Sequence, residues 1–383
     1  MMSNLVQDHL RRATGPIETA RGLPNLFYTD GEGYAHEVDR VFRNGWFCIG
    51  FAKDVPEPGT AHPVTFLGMP MLMVRDNEGV LRVFENVCRH RGMILVEESG
   101  PVGSVIQCPY HAWCYGLDGA LRGMPHVGGP GINNDPRIDR TELGLNEIRS
   151  AVFMDAVFVD RSGTAPDFDA YVAPLRRRWA DFAERPLHHS GADSSFTLEL
   201  ATNWKLAVEN YCESYHLPFV HPSLNQYSRL EDHYHIMEDG FSGQGTNVYA
   251  PVLDGTGREF GTFEGLPEKW DKAAEYTALY PNLLLGVHKD HTFAILIEPL
   301  GPDRCREHVE IYYADPSSLG GQFADLRAHN TEQWRNVFVE DVGVVEGMQR
   351  GRQAIGFDGG KFSPVMDAPT HAFHRWVAEK LLG

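Results

Sequence analysis

Asn86-Val87-Cys88-Arg89-His90-Arg91-Gly92 and Cys108-Pro109-Tyr110-His111-Ala112-Trp113 each carry one cysteine and one histidine, with seventeen residues between His90 and Cys108. The pattern is Cys-x-His followed by Cys-x2-His. Each segment offers a soft thiolate and an imidazole. That donor set suits a [2Fe–2S] cluster in which Cys88 and Cys108 hold one iron and His90 and His111 hold the other. Gly92 and Pro109 suit tight loops whose backbone N–H groups can face cluster sulfurs. Zinc is the rival ion. A Cys2His2 zinc site usually takes both cysteines from one knuckle and both histidines from a helix. Here the pairs are mixed and lie among strands. Cys114 falls outside the pattern and reads as packing.

The surroundings of these segments read as β-structure. Trp46–Phe51, Ala61–Phe66, Met71–Arg75, Leu81–Phe84, Val105–Gln107, Trp113–Gly116 and Ala151–Val159 are strand-like. Turn signals such as Pro56-Glu57-Pro58-Gly59, Asp76-Asn77-Glu78-Gly79 and Asp118-Gly119 separate them. Residues 45–160 are therefore expected to form an all-β domain. Residues 1–44 read as a polar arm with a short helix over Ala35–Arg43. Beyond residue 160 the texture changes. Phe168–Glu184, Trp204–Tyr215, Leu326–Gln349 and Thr370–Leu382 have helical patterns. Phe196–Leu200, Leu283–Val287, Thr292–Pro299 and His308–Ala314 read as strands. The Gly-rich stretch 223–265 is predicted to loop over a site. Residues 161–383 thus form a second, α+β domain, a sheet carrying long helices.

The 383 residues carry 34 Lys and Arg against 52 Asp and Glu, a formal charge of −18. So acidic a surface argues against nucleic acid and anionic membranes, and is compatible with a cationic small substrate or a basic partner. No run of 18 apolar residues predicts a membrane span. Residues 1–12 lack the apolar core of a secretion signal, which makes the cytoplasm the expected location. The six cysteines do not suggest a disulfide scaffold.

A second motif lies at Asn203-Trp204-Lys205-Leu206-Ala207-Val208-Glu209-Asn210-Tyr211-Cys212-Glu213-Ser214-Tyr215-His216-Leu217-Pro218-Phe219-Val220-His221. On a straight helix His216 and His221 would be about 500° apart and would not share a face. Pro218 must break or bend that helix, which could turn one ring toward the other. Two imidazoles and one carboxylate make the facial triad of non-haem Fe(II) sites, with positions left open for O2.

Together the two motifs resemble the α subunits of Rieske non-haem iron oxygenases, the ring-hydroxylating oxygenase family. The resemblance spans nearly the whole chain. It implies a Rieske [2Fe–2S] domain plus a helix-grip (START-like) catalytic domain to which the arm belongs. It implies His216 and His221 as iron ligands, following the pattern acid-x2-His-x4-His. Glu340-Asp341-Val342-Gly343-Val344-Val345-Glu346-Gly347-Met348-Gln349 then fits the late carboxylate motif, with Asp341 as third ligand and Glu340 as the fallback. It further implies a homotrimer in which electrons cross from the cluster of one subunit to the iron of its neighbour. Glu213 would bridge the two centres, bonded to an iron histidine and to His111 or His90 across the interface.

Glutamate rather than aspartate at that bridge looks more like the carnitine, choline and glycine betaine monooxygenases and betaine demethylases. A quaternary ammonium substrate implies aromatic receptors, and the candidates are Tyr211, Tyr215, Phe219, Trp204, Phe293 and Trp334. Hydroxylation or O-demethylation of an aromatic compound is the alternative. A Rieske electron-transfer protein without oxygenase activity is the remote one. No G-x-G-x-x-G fingerprint follows a strand, so NAD(P)H and flavin are assigned to a separate reductase.

Overall fold

The computed structural model describes residues 4–251, 257–357 and 359–383. The chain folds as two compact units. One is Cys48–Ala165; the other joins the segment up to Phe47 with everything from Pro166 onward.

In the smaller unit a seven-stranded sheet runs in the order Trp46–Phe51, Ala156–Asp160, Glu147–Phe153, Leu81–Glu85, Met69–Arg75, Thr60–Phe66 and Gly100–Pro101. A second sheet holds Val105–Gln107, Cys114–Gly116 and Leu121–Gly123. Leu72, Val74, Phe84, Ile106, Trp113 and Tyr115 pack between them together with both motif cysteines. Where the sequence predicts one strand over Ala151–Val159, the chain makes a hairpin, Glu147–Phe153 against Ala156–Asp160. Its turn residues, Met154 and Asp155, both have positive φ (+48° and +67°). Such turns usually advertise themselves with Asn-Gly or Asp-Gly; Met-Asp gives no such signal.

The larger unit is built on an antiparallel eight-stranded sheet. Its main path is His188–His189, Arg304–Tyr313, His291–Gly301, Leu283–Val287, Ala274–Leu279, Phe241–Thr246 and His233–Glu238; Ser195–Leu200 also pairs with Arg304–Tyr313. The helix Trp204–Tyr211 packs on the sheet and on the long helix Ala324–Gly351. The helix Ala368–Leu382 packs on the Phe241–Thr246 strand and against Asn4–Ala13. The fold is thus a β-rich unit plus an antiparallel sheet gripping long helices.

Three local expectations are corrected. Residues 233–246 are a hairpin, not loop. Gly243 and Gly245 lie inside a strand, where a Cβ would stand 2.0 Å from the Tyr276 carbonyl oxygen or 2.4 Å from the Tyr234 ring. These glycines serve close approach rather than turning. The helix expected over Phe168–Glu184 ends at Arg178, and the one expected over Trp204–Tyr215 ends at Tyr211. The strand Ala274–Leu279 was not anticipated. Among the described residues, no helix is long and apolar enough to cross a membrane.

A buried polar knot ties the N-terminal arm to the Trp204–Tyr211 helix. Lys205 Nζ pairs with Glu37 and donates to the Phe27 carbonyl and Asn203 Oδ1, both at 2.8 Å. Glu37 also accepts from Trp204 Nε1 at 2.5 Å. Both charges are fully buried, so removing one partner strands the other in a medium that solvates it poorly. Glu37→Ala is expected to cost about 3–5 kcal/mol of unfolding free energy, measured as a lowered denaturation midpoint of the larger unit.

Candidate functional site

In the smaller unit, the Cys88 and Cys108 loops share one hydrogen-bond plan. Cys88 N–H donates to the Met93 carbonyl (2.8 Å) and Gly92 N–H to the Cys88 carbonyl (3.0 Å). Cys108 N–H donates to the Trp113 carbonyl (2.8 Å) and Ala112 N–H to the Cys108 carbonyl (3.0 Å). The fifth residue of each loop is left-handed: Gly92 at φ +75°, Ala112 at φ +55°. The Gly92 N–H therefore serves the loop itself.

Both thiols are buried and free of disulfides. Burial pushes the Cys88 thiol up. The ring centroids of His90 and His111 are 4.7 Å apart, and His90 stacks on Trp113 at 4.6 Å. His111 Nδ1 is buried without a partner. Two adjacent thiols, two imidazoles and an orphaned ring nitrogen fit a mixed-ligand [2Fe–2S] cluster. The sequence reading missed Tyr115. Its hydroxyl accepts the Arg89 N–H (3.0 Å) and lies within hydrogen-bond reach of Cys88 Sγ, 3.2 Å away.

In the larger unit, the helix Trp204–Tyr211 stops at Cys212, and a short helix, Leu217–Val220, begins with His216 at its N-cap and Pro218 in its first turn. Proline is well placed there, where its missing N–H costs nothing. The chain therefore breaks over residues 212–216, ahead of Pro218 rather than at it. This brings the His216 and His221 rings within 5.1 Å.

Asp341 reaches them from the helix Ala324–Gly351. Its Oδ1 is 3.1 Å from His221 Nε2 and 3.7 Å from His216 Nε2. Potential ligand atoms of the three residues all lie within 4.8 Å of one another. Both Nδ1 atoms are engaged: His216 with Glu213 Oε1 at 2.6 Å, His221 with Glu340 Oε2 at 2.7 Å. Each carboxylate takes the Nδ1 proton and leaves an Nε2 lone pair facing inward. Burial disfavours charge on His221, but Asp341 and Glu340 outweigh it and raise its pKa. Asp341 Oδ1 is buried and has no well-formed hydrogen bond. An unpartnered carboxylate oxygen facing two imidazole nitrogens fits a divalent metal.

Residues 187–383 match the family described as ring hydroxylating alpha subunit (catalytic domain), and residues 45–135 match the Rieske [2Fe-2S] domain. The chain belongs to the ring-hydroxylating α-subunit family. Like other members, this α subunit is an oxidoreductase that works with a Rieske cluster and a mononuclear iron. It is 28% identical to choline monooxygenase of Spinacia oleracea over 96% of this chain and 80% of that one. It is 27% identical to the carnitine monooxygenase oxygenase subunit of Escherichia coli (strain K12), over 94% and 92%. A solved quaternary ammonium Rieske monooxygenase superposes with TM-score 0.78 at 23% identity, covering 99% of this chain and all of that one. Naphthalene 1,2-dioxygenase from Rhodococcus sp. superposes with TM-score 0.79 at 19% identity, covering 100% and 99%. The two scores are nearly equal, so the fold does not choose between their substrates.

A cavity of about 50 Å³ opens onto the triad of this α subunit. Tyr211, Phe293 and Trp334 line it, as the sequence anticipated, and Tyr276 and Phe338 join them. Three other candidates are elsewhere. Trp204 is buried against Phe42 and Phe373. Tyr215 is 47% exposed and Phe219 80% exposed, and neither lines the cavity. Tyr215 lies within the break at residues 212–216 and Phe219 just beyond it, so neither is on the face that an unbroken helix would have presented. Phe338 was legible, since Trp334, Phe338 and Asp341 are spaced i, i+4, i+7 on one helix face. Tyr276 was hidden in the unanticipated strand. Glu307 was missed as well. Burial and the Asp341 carboxylate push its pKa up to about 8.

Proposed function

We propose that this α subunit is the oxygenase component of a two-component Rieske monooxygenase acting on a small quaternary ammonium compound of the betaine, carnitine or choline type. The observation that carries this reading is the cavity wall. Phe293 and Trp334 meet at 4.7 Å and 57°, Trp334 and Phe338 at 5.8 Å, and Tyr276 lies 6.1 Å from both Phe293 and Trp334. The Tyr211 hydroxyl is held by the Leu285 carbonyl at 2.8 Å. A charge that no proton loss can neutralise is matched by such faces. The resemblance to choline and carnitine monooxygenases along most of the chain points the same way.

In this reading Cys88, His90, Cys108 and His111 hold the cluster, and His216, His221 and Asp341 hold the iron. Bound there, the two groups supply single electrons and a site for O2. Glu213 and Glu340 fix the imidazoles with Nε2 inward. We assign Glu213 the bridge to a Rieske histidine of a neighbouring subunit, within a homotrimer fed by a separate flavin/iron–sulfur reductase, in the cytoplasm. The solved relative described in terms of inter-subunit electron transfer supports this assignment. Hydroxylation beside the quaternary nitrogen gives a hemiaminal that collapses to an amine and an aldehyde; hydroxylation elsewhere gives an alcohol or cleaves the chain. A second reading, hydroxylation or O-demethylation of an aromatic compound, fits the same flat walls.

The deciding experiment supplies a reductase and measures substrate-dependent NADH and O2 consumption across betaines, carnitine, choline and simple aromatics, with formaldehyde assayed in parallel. Turnover of one ammonium compound, with a matching product, is expected. Turnover of aromatics alone overturns the substrate assignment. Glu340→Ala is expected to weaken iron binding about 10–100-fold, measured by chelator competition with the cluster absorbance as internal standard.

A further inference from the structure

The lining of the triad cavity mixes two kinds of side chain. Tyr276, Phe293, Trp334 and Phe338 are aromatic, whereas Asn210, Ser228, His233 and Gln244 bring polar groups. Among the described residues of the lining, His233 is the one histidine outside the triad, and both of its ring nitrogens are in use. Gln244 Nε2 donates to the Glu213 carbonyl (3.3 Å), so its Oε1 faces His233 Nδ1, 2.5 Å away, and accepts the proton there. His233 Nε2 then accepts from the Ser228 hydroxyl at 3.1 Å. Burial lowers the His233 pKa and keeps the ring neutral. Asn210 is 8% exposed, and its amide makes no hydrogen bond to another described residue.

The charged groups around this lining are acids. Asp341 faces the cavity, and Glu213 and Glu340 stand behind His216 and His221. Iron in the triad would set two positive charges against these three carboxylates. Among the described residues, no lysine or arginine lines the cavity. Arg258, Lys272 and Lys289 line a separate cavity of about 370 Å³, which has no lining residue in common with the first. Trp334 closes off the triad cavity from these cations. It stacks on Tyr249 of the larger cavity at 6.0 Å and 11°, and its Nε1–H is bonded to His291 Nε2 at 2.9 Å. An ammonium is stabilised beside acids and aromatic faces. A carboxylate in the same place would be buried with no cation to pair with.

We propose that this site selects an ammonium compound whose far end is an uncharged hydroxyl, received by Asn210, and rejects compounds that end in a carboxylate. The inference rests on the quaternary ammonium reading of the site and narrows it to an amino alcohol of the choline type. A hydroxyl gives and takes a hydrogen bond, and so does an amide; a carboxylate only takes. Ser228 and Tyr211 add to the bias. Their protons are spent on His233 and on the Leu285 carbonyl, so their oxygens are left as acceptors. A cavity of acceptors and acids suits a ligand that brings donors and positive charge.

The test compares choline, glycine betaine, carnitine and the amides of the two acids. Binding is measured by calorimetry on the iron-loaded protein without O2 or reductase, and turnover with both supplied. Choline is expected to bind at least ~100-fold more tightly than glycine betaine or carnitine, because each acid buries an unpaired charge. The amides match the acids in size without that charge and should recover at least ~10-fold. An acid that binds and reacts as well as choline, or an amide no better than its acid, overturns the inference. Asn210→Leu removes the amide at nearly constant volume. It is expected to weaken choline about 3–10-fold, and ethyltrimethylammonium, which lacks the hydroxyl, by less than about twofold. Equal losses for the two overturn Asn210 as the receptor. If only aromatic compounds react, the ammonium reading fails, and the charge preference is read from benzamide against benzoate. Rejection of benzoate alone then upholds the preference, and indifference between the two overturns it.

Discussion

Asp341→Ala is expected to lower the iron content from about three to about two atoms per chain and to abolish product formation, a loss of at least ~1,000-fold, while the cluster spectrum stays unchanged. The argument is local. Asp341 is the acid whose oxygen faces both Nε2 atoms (3.1 and 3.7 Å), whereas Glu340 turns to His221 Nδ1. Without Asp341, two imidazoles remain with no anionic ligand, and two neutral donors hold divalent iron more weakly than three ligands that include a carboxylate. Metal analysis of reconstituted protein is the check. Retention of three iron atoms would transfer the ligand role to another acid, with Glu340 first in line. The helix itself should survive, because Asp341 is neither in the core nor part of a cap.

The second large effect is expected at Glu213. Glu213→Ala should leave both metal centres able to load and should abolish coupled turnover, again by about three orders of magnitude. Part of that loss is positional. Glu213 Oε1 sets His216 Nδ1 at 2.6 Å, and removing such an outer partner typically costs 10–100-fold in metal affinity. Saturating iron corrects this part. The remainder belongs to electron delivery and is read directly as the rate at which the reduced cluster is reoxidised by O2 in the presence of substrate. Slow reoxidation at full iron occupancy supports the bridge; normal turnover sinks it. Glu213→Gln separates the two parts, because a carboxamide oxygen still accepts the His216 proton but carries no charge.

The candidate metal ligands were easier to pick out of the sequence than the residues of the pocket. Cys, His and carboxylate in fixed short spacings declare chemistry by type. Cys88, His90, Cys108 and His111 come together because two similar loops repeat one hydrogen-bond plan. The pocket walls follow no such rule. Tyr276 and Phe293 face the triad only through the register of three antiparallel strands, and a single sequence does not display register. Tyr215 and Phe219 misled because the helix was read through to residue 215, whereas it ends at Tyr211. Gly243 and Gly245 suggested a loop because close backbone approach leaves the same composition as a turn.

The larger unit closes on itself through segments far apart in the chain. Leu23 N–H donates to His374 Nδ1 (3.0 Å), Tyr28 bonds Glu209 (2.5 Å), and Asn4–Ala13 packs on Ala368–Leu382. The smaller unit, by contrast, is one continuous stretch. During synthesis, residues 48–165 can fold and take up their cluster while the rest is still being made. The triad, with Asp341 more than a hundred residues beyond His221, must wait for the late helices. The connectivity therefore allows the cluster-binding unit to form before the triad is complete. Cells starved of iron late in synthesis should accumulate chains that are coloured by the cluster but cannot react with O2.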